Sequence, residues 1–337
     1  MADSSSLLPR YDPFTIKSVV YKTVGSHPIQ ASILIPHGLK LTKCPLMVRF
    51  HGGGFVEGVR LGDWFRTWLL DFCAREGVIL VSPDYRFIPE STGYDMMEDV
   101  RDFWMWVKMH LKDEVINILP IDIDLDRIAV TGESAGGYLA VQSFCGPNIL
   151  PQGLTIRVVP IQAPLLDLTH ASQPANRRIF DLPEYPADIS KKYLTESPRG
   201  TVLTSWEPSG RRSELAWSML QHGTLVDALE GTLDGDERGK KRSNIERSLL
   251  RPIENLVRLK ESPPNKFPAI WIVHAWQDCV VPVEGTWNFL AQYKKLFPDV
   301  PVLLDLLDGD HGFDGEWPSD SPQVERGLEW TKKHWFD

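Results

Sequence analysis

No stretch of this 337-residue chain stays apolar for the roughly 20 residues that a membrane-spanning helix takes, so a transmembrane segment is not expected. Positive charge is also short: 36 Lys and Arg stand against 45 Asp and Glu, a net charge of -9. That balance argues against a nucleic-acid partner, which would call for a basic face, and against polybasic attraction to a membrane. Cysteine is scarce, and Cys44, Cys73, Cys145 and Cys279 lie far apart in no metal-ligand spacing. The opening Met1-Ala2-Asp3-Ser4-Ser5-Ser6-Leu7-Leu8-Pro9-Arg10 lacks the basic-then-apolar layout of a secretory signal. The thiols are therefore expected to be reduced and the protein cytoplasmic. The sequence also lacks internal repeats and low-complexity tracts.

What remains is the composition of an ordinary globular protein, 42% hydrophobic and 24% charged. Its length exceeds the roughly 250–300 residues at which one core stops growing, which suggests one large domain with an added piece. Residues 1–10 read as disordered. Thr15 to Thr23 and Gln30 to Pro36 read as a hairpin, and Pro45 to Phe50 as a further strand. Strands and helices then alternate: helix Trp64 to Arg75, strand Val78 to Val81, helix Tyr94 to Leu111, strand Arg127 to Val130, a helix from Tyr138, strand Arg157 to Pro160. Residues 167–262 contain no convincing strand. They hold Pro-rich pieces, helical segments at Glu214 to Leu220 and Ile245 to Leu259, and a charged run from Asp234 to Arg242 that reads as a solvated turn. A structureless loop of that length does not fit a compact domain, so the segment is expected to be a helical cap or lid inserted between two strands. Alternation resumes with strand Ala269 to Val273, helix Val283 to Leu296, strand Val302 to Leu307 and helix Gln323 to Trp335. The expected class is α/β, with a mostly parallel sheet covered by helices and a core of residues 11–166 and 263–337.

Gly132-Glu133-Ser134-Ala135-Gly136 is a G-x-S-x-G pentapeptide between a strand and a helix, the setting of a nucleophile elbow. Alone it is a weak signal, since such pentapeptides also occur in ordinary turns. Three other stretches agree with it. Asp278 and His311 each follow a strand, and the order Ser, Asp, His is that of an α/β-hydrolase triad. His51-Gly52-Gly53-Gly54 follows a strand too, and its glycines let backbone N–H groups approach a substrate. The expected roles are Ser134 as nucleophile, His311 as base, Asp278 as the acid that orients it, and the amides of Gly53, Gly54 and Ala135 as oxyanion donors. Nine histidines are present, and a lone histidine is usually packing or surface. His274 competes for the base, but four residues before Asp278 it is too close to reach the serine with the acid behind it. Asp308, Asp310 and Asp314 flank His311, too near in sequence to present a carboxylate to the far ring nitrogen.

The chain resembles the hormone-sensitive-lipase-like branch of the α/β-hydrolase esterases. His51-Gly52-Gly53-Gly54-Phe55, Ser82-Pro83-Asp84-Tyr85-Arg86-Phe87-Ile88-Pro89-Glu90 and Gly132-Glu133-Ser134-Ala135-Gly136-Gly137 carry the likeness. The resemblance covers about residues 45–165 well and 268–335 acceptably. It implies the same triad and oxyanion glycines, and support near the site from Tyr85, Arg86 and Glu90. The chain departs from that family in Glu133, where Asp is usual, in Cys279-Val280-Val281-Pro282, where a second acid is usual, and in a long Ser134-to-Asp278 spacing. Specialised hydrolases of fungal secondary-metabolite pathways are similar in these respects.

The expected partner is a small-molecule ester, with no metal or organic cofactor required. Trp206, Trp217 and Leu220 are expected to form an apolar pocket. Cleavage of an amide, thioester or carbon–carbon bond would use the same residues. A non-catalytic ligand receptor on this scaffold is a third reading, against which the presence of His311 speaks. The sequence leaves a homodimer open.

Overall fold

A computed structural model describes residues 8–336 apart from 173, 175–178, 198–199, 234–235, 237, 262, 264–265 and 316. Residues 1–7, expected to be disordered, lie outside the described residues. Residues 8–10 do not follow that expectation: Pro9–Tyr11 form a 3-10 turn, and Arg10 donates to the carbonyls of Asp63 and Phe65 at 2.7 and 2.8 Å.

Strands β1 (Phe14–Val24) and β2 (His27–Pro36) form the expected antiparallel hairpin, turned at Gly25 with φ 59°. Then follow β3 (Lys43–Phe50), α1 (Thr67–Glu76), β4 (Ile79–Pro83), α2 (Gly93–Met109), α3 (Leu111–Ile116), β5 (Asp122–Glu133), α4 (Ala135–Cys145) and β6 (Ile156–Gln162). The segment after β6 contains α5 (Leu168–Ala171), α6 (Ile189–Glu196), α7 (Gly210–His222), α8 (Leu225–Glu230), α9 (Asn244–Ser248) and α10 (Pro252–Glu261). Strand β7 (Ala269–Ala275), α11 (Val283–Leu296), β8 (Val302–Leu307) and α12 (Pro322–Phe336) complete the chain. The eight strands form one sheet in the order β1-β2-β4-β3-β5-β6-β7-β8, antiparallel at the hairpin and its junction with β4, and parallel from β4 to β8. No helix among the described residues is long and apolar enough to cross a membrane.

Every residue of β4 and β7 is buried, as expected of parallel strands covered on both faces. One face packs under α2, α4 and α11, around Val48, Val130, Trp104 and Phe289. The other lies under α1 and α12, with Trp68, Trp271 and Trp335 at its centre. α12 approaches closely because Gly327 sits over Trp271: a Cβ there would lie 1.8 Å from the indole.

Two expected helices are each divided in two, for identifiable reasons. The Tyr94-to-Leu111 helix begins at a capping box of Thr92 and Asp95 and stops at His110, whose φ of -131° breaks the turn before α3. The Ile245-to-Leu259 helix is interrupted by Pro252, which has no N–H to donate and fits only a first helical turn, so α10 starts there. Between β6 and β7 the described residues contain no strand, only a single bridge from Trp206 to Gly58. α10 packs against α4, where Asn255 Nδ2 donates to Gln142 Oε1 at 2.9 Å. The charged run 234–242 lies partly outside the described residues. Arg238 within it is not merely solvated: it pairs with Asp236 and donates to the carbonyls of Pro89 and Glu90.

Candidate active site

Ser134 stands between β5 and α4 with φ 55° and ψ -117°, a strained conformation for a residue with a side chain. Its N–H donates to Gln162 O at 2.9 Å, and its carbonyl accepts from Leu165 N at 3.2 Å, so β6 and the loop after it hold the turn. The neighbours must be small. A Cβ on Gly136 would lie 2.1 Å from Phe50 O, and one on Gly132 2.4 Å from the Gly136 backbone. The contacts are with backbone, which cannot rotate away. Gly136→Ala is therefore expected to cost about 3 kcal/mol, a fall in melting temperature of roughly 6–12 °C, and to displace the serine. A calorimetric scan beside an activity assay checks this; a wild-type melting temperature would refute it.

The loop after β7 and the loop after β8 bring Asp278 and His311 together. His311 Nδ1 donates to Asp278 Oδ2 at 2.8 Å, and this sets the tautomer that leaves Nε2 unprotonated and able to accept. The other Asp278 oxygen accepts from Val280 N at 2.9 Å and Val281 N at 2.7 Å. His274 lies behind the acid, fully buried, with Nε2 3.2 Å from Asp278 Oδ2 and 3.0 Å from Val281 O. Both are acceptors, so Nε2 carries the proton, and Nδ1 accepts from Thr286 Oγ1 at 2.8 Å. Burial by itself would raise the pKa of Asp278. The charge and hydrogen bond of His311, and then those of His274, outweigh it and hold the carboxyl well below the ordinary range. The other acids near His311 have separate tasks. Asp310 Oδ1 accepts from Cys279 N and His311 N, Asp314 pairs with Arg66, and Asp308 accepts from Gln277.

The glycine run after β3 is held from two sides. Gly52 N donates to Glu133 Oε1 at 3.0 Å, and Glu133 pairs with the buried Arg49, whose guanidinium lies 4.0 Å from the centre of the Phe65 ring. Glu133, longer than the usual Asp, thus reaches both a loop amide and a buried cation. Gly53 and Gly54 have φ 103° and 59°, and a Cβ on Gly53 would lie 2.1 Å from Glu57 O, so the loop requires glycine there. Tyr85 OH donates to His51 O at 2.7 Å and stacks on its ring at 4.3 Å. Burial lowers the His51 pKa to about 3, so this imidazole is neutral and structural. Arg212 of α7, fully buried, donates to Val56 O at 2.8 Å, Ile88 O at 3.0 Å and Glu90 Oε1 at 2.6 Å, which ties α7 to the segment after the glycine run. Arg86 pairs with the buried Asp99 at 2.9 Å.

Ser134, Ala135, Gly52, Gly53, Gly54 and His311 line one cavity of about 730 Å³. Its apolar wall includes Leu165, Ile179, Phe180, Trp217, Leu220 and Leu225. Trp217 and Leu220 stand where the composition suggested. Trp206 is not in the wall; its backbone bridges Gly58 and the residue is 41% exposed. Among the described residues no hydrogen bond joins Ser134 Oγ to His311; the two groups share the cavity wall. No cluster of metal-ligand type occurs among the described residues. Sequence reasoning weighed His274 only as a rival base and missed its place behind Asp278; it also missed Arg49 behind Glu133, Arg212 behind the glycine loop, and Glu57 in the wall. Only His-x-x-x-Asp spacing pointed to the first, and nothing local marked the others.

A family profile described as alpha/beta hydrolase fold matches residues 47–202. The probable carboxylesterase M8 of Phoma sp. is 30% identical over 336 residues, 97% of this chain and 98% of that protein. The non-reducing polyketide synthase Preu6 of Preussia isomera is 32% identical over 346 residues, 97% of this chain but 15% of the synthase. Among solved structures, carboxyl esterase 2 of the mycorrhizal fungus Tuber melanosporum shares the fold at TM-score 0.59 and 19% identity, over 96% of this chain and 88% of its own. End-to-end likeness to a carboxylesterase, on a sheet of this topology, leads to one conclusion: the chain belongs to the α/β-hydrolase family and is an ester-hydrolysing enzyme of the carboxylesterase kind.

Proposed function

We propose that this enzyme cleaves carboxylic esters of small to medium apolar molecules through an acyl-enzyme on Ser134. The observation that carries the reading is the 2.8 Å bond from His311 Nδ1 to Asp278 in a wall that also holds Ser134. Ser134 Oγ attacks the ester carbonyl carbon while His311 Nε2 takes its proton. The N–H groups of Gly53, Gly54 and Ala135 donate to the resulting oxyanion, and the start of α4 adds the favourable end of its dipole. Asp278 favours the imidazolium as it forms. His311 then protonates the leaving alcohol. Water, deprotonated by the same nitrogen, attacks the acyl carbon, and the acid leaves with the serine regenerated. The inserted helices act as a cap, with Trp217 and Leu220 against the apolar part of the substrate.

A fluorophosphonate probe tests the nucleophile. The expected adduct maps to the peptide holding Ser134 and disappears in Ser134→Ala, with hydrolysis of p-nitrophenyl esters lost in parallel. Equal labelling of both proteins would overturn the assignment.

A second reading, thioester cleavage of a polyketide acyl group, is favoured by the likeness of nearly the whole chain to a piece of a polyketide synthase. It uses the same residues, and places the enzyme in secondary metabolism.

A further inference from the structure

We infer that His274 is a positioning residue of the proposed triad: its Nε2–H group holds the turn that carries Asp278 and faces the same carboxylate oxygen that His311 uses, and so restrains how strongly that carboxylate draws a proton onto His311. The inference rests on His311 being the base for Ser134. His274 lies near the end of β7, four residues before Asp278, and its side chain is fully buried. It does not line the cavity. Nε2 lies 3.0 Å from Val281 O and 3.2 Å from Asp278 Oδ2; both are acceptors, so the proton stands on this nitrogen. Thr286 Oγ1, on α11, donates to Nδ1 at 2.8 Å and holds that tautomer from behind. A strand, a loop and a helix thus meet on one imidazole.

His274 serves both oxygens of the acid. It stands beside Oδ2, and through Val281 O it holds the peptide whose N–H donates to Oδ1 at 2.7 Å. Asp278 is fully buried, so an N–H dipole pointed at it is not diluted by solvent. That dipole offsets part of the negative charge felt at His311. Without it the carboxylate favours the imidazolium more strongly, and His311 Nε2 becomes free to act as base only at higher pH. The His311 bond and the amides of Val280 and Val281 still keep the carboxylate in reach, so this charge effect outweighs the loosening of the turn. The surrounding ionisable groups have other tasks. In the loop after β8, Asp308 accepts from Gln277, Asp310 accepts from the amides of Cys279 and His311, and Asp314 pairs with Arg66. Burial pushes the Cys279 thiol up to about 11, so it stays neutral. Glu284 lies in the first turn of α11, and Asp167, packed against Gly285, accepts from Asn288. Glu57, Asp63 and Glu133 face the cavity from its other walls. Substitution of His274 leaves all of these in place.

The test reads kcat/KM for p-nitrophenyl butyrate from about pH 5 to 9, where the acid limb reports the base of the free enzyme. His274→Phe keeps a ring and loses the N–H. Its limb is expected to move up by about half a pH unit, and its kcat to fall about tenfold with KM little changed. His274→Gln carries an amide nitrogen where Nε2 stands and should return the limb to within about 0.2 unit of wild type. His274→Asn ends where Nδ1 stands, keeps a partner for Thr286 and does not reach Asp278; it should move the limb as phenylalanine does. Should the phenylalanine variant not fold, the asparagine variant is measured in its place. A limb that stays put or moves down in the folded variant overturns the inference, as does a glutamine variant that behaves like the phenylalanine one, since His274 would then be packing alone. Wild type without an acid limb and without fluorophosphonate labelling at Ser134 would instead remove the acyl-enzyme reading beneath it.

Discussion

Ser134→Ala, His311→Ala and the double variant are each expected to lose about 10⁵- to 10⁶-fold in kcat, with nearly the same residual rate in all three. Without the hydroxyl, His311 has no proton to remove; without the imidazole, the hydroxyl stays protonated near neutral pH and is a poor nucleophile. In the proposed mechanism the two side chains act as one device, so removing the second is expected to add little once the first is gone. What remains is the contribution of the glycine-loop amides and of substrate binding. Losses that multiply in the double variant would mean that the groups act in separate steps, and would sink the assignment. Ser134 is held through its backbone, so Ser134→Ala should keep the circular dichroism and melting temperature of wild type, which separates lost chemistry from lost folding. His311→Ala also removes a partner of the buried Asp278 carboxylate and is expected to melt lower, so its activity is compared at a temperature where circular dichroism shows it folded.

Asp278→Asn is expected to lower kcat by about 10⁴-fold. An amide can present N–H to His311 Nδ1 and stabilise the tautomer with the proton on Nε2, the wrong nitrogen for a base facing Ser134. It also removes the negative charge that favours the imidazolium. His274 adds to the disturbance, because its Nε2 proton now faces an amide that need not accept it. The same substitution has a stability signature. The folded pKa of Asp278 is depressed, so the carboxylate stabilises the fold above its unfolded pKa of about 4, and that contribution fades as the pH falls toward the folded value. Wild type should therefore exceed the variant in stability at pH 7, with the gap closing below about pH 4. Urea titrations at pH 7 and pH 3 measure it; a gap that widens on acidification would contradict the charge argument.

The alternation of strands and helices was legible because apolar runs of β-branched residues and 3.6-residue periodicity are local signals. Helix Val283–Leu296 and strand Val302–Leu307 could be read to the residue. Helix endings were less legible. Pro252 could be seen in the sequence, but the Ile245-to-Leu259 periodicity ran through it and obscured the break. Short helices such as α5 and α8 carry too few turns for a period to show. Trp206 looked like pocket material by composition, yet its backbone bridges Gly58 and it is not among the residues of the cavity wall.

By itself the sequence determined the class of fold, the small residues on either side of Ser134, and the order in which Ser134, Asp278 and His311 occur, since these depend on neighbours along the chain. Tertiary structure alone decided which groups meet: Asp278 with His311 across two loops, Glu133 with Arg49 and Gly52, Arg212 with the glycine loop, and Glu57 with the cavity. The reason is distance along the chain. Arg212 and Val56 are separated by 156 positions, and nothing in either segment encodes the other until the sheet stacks them.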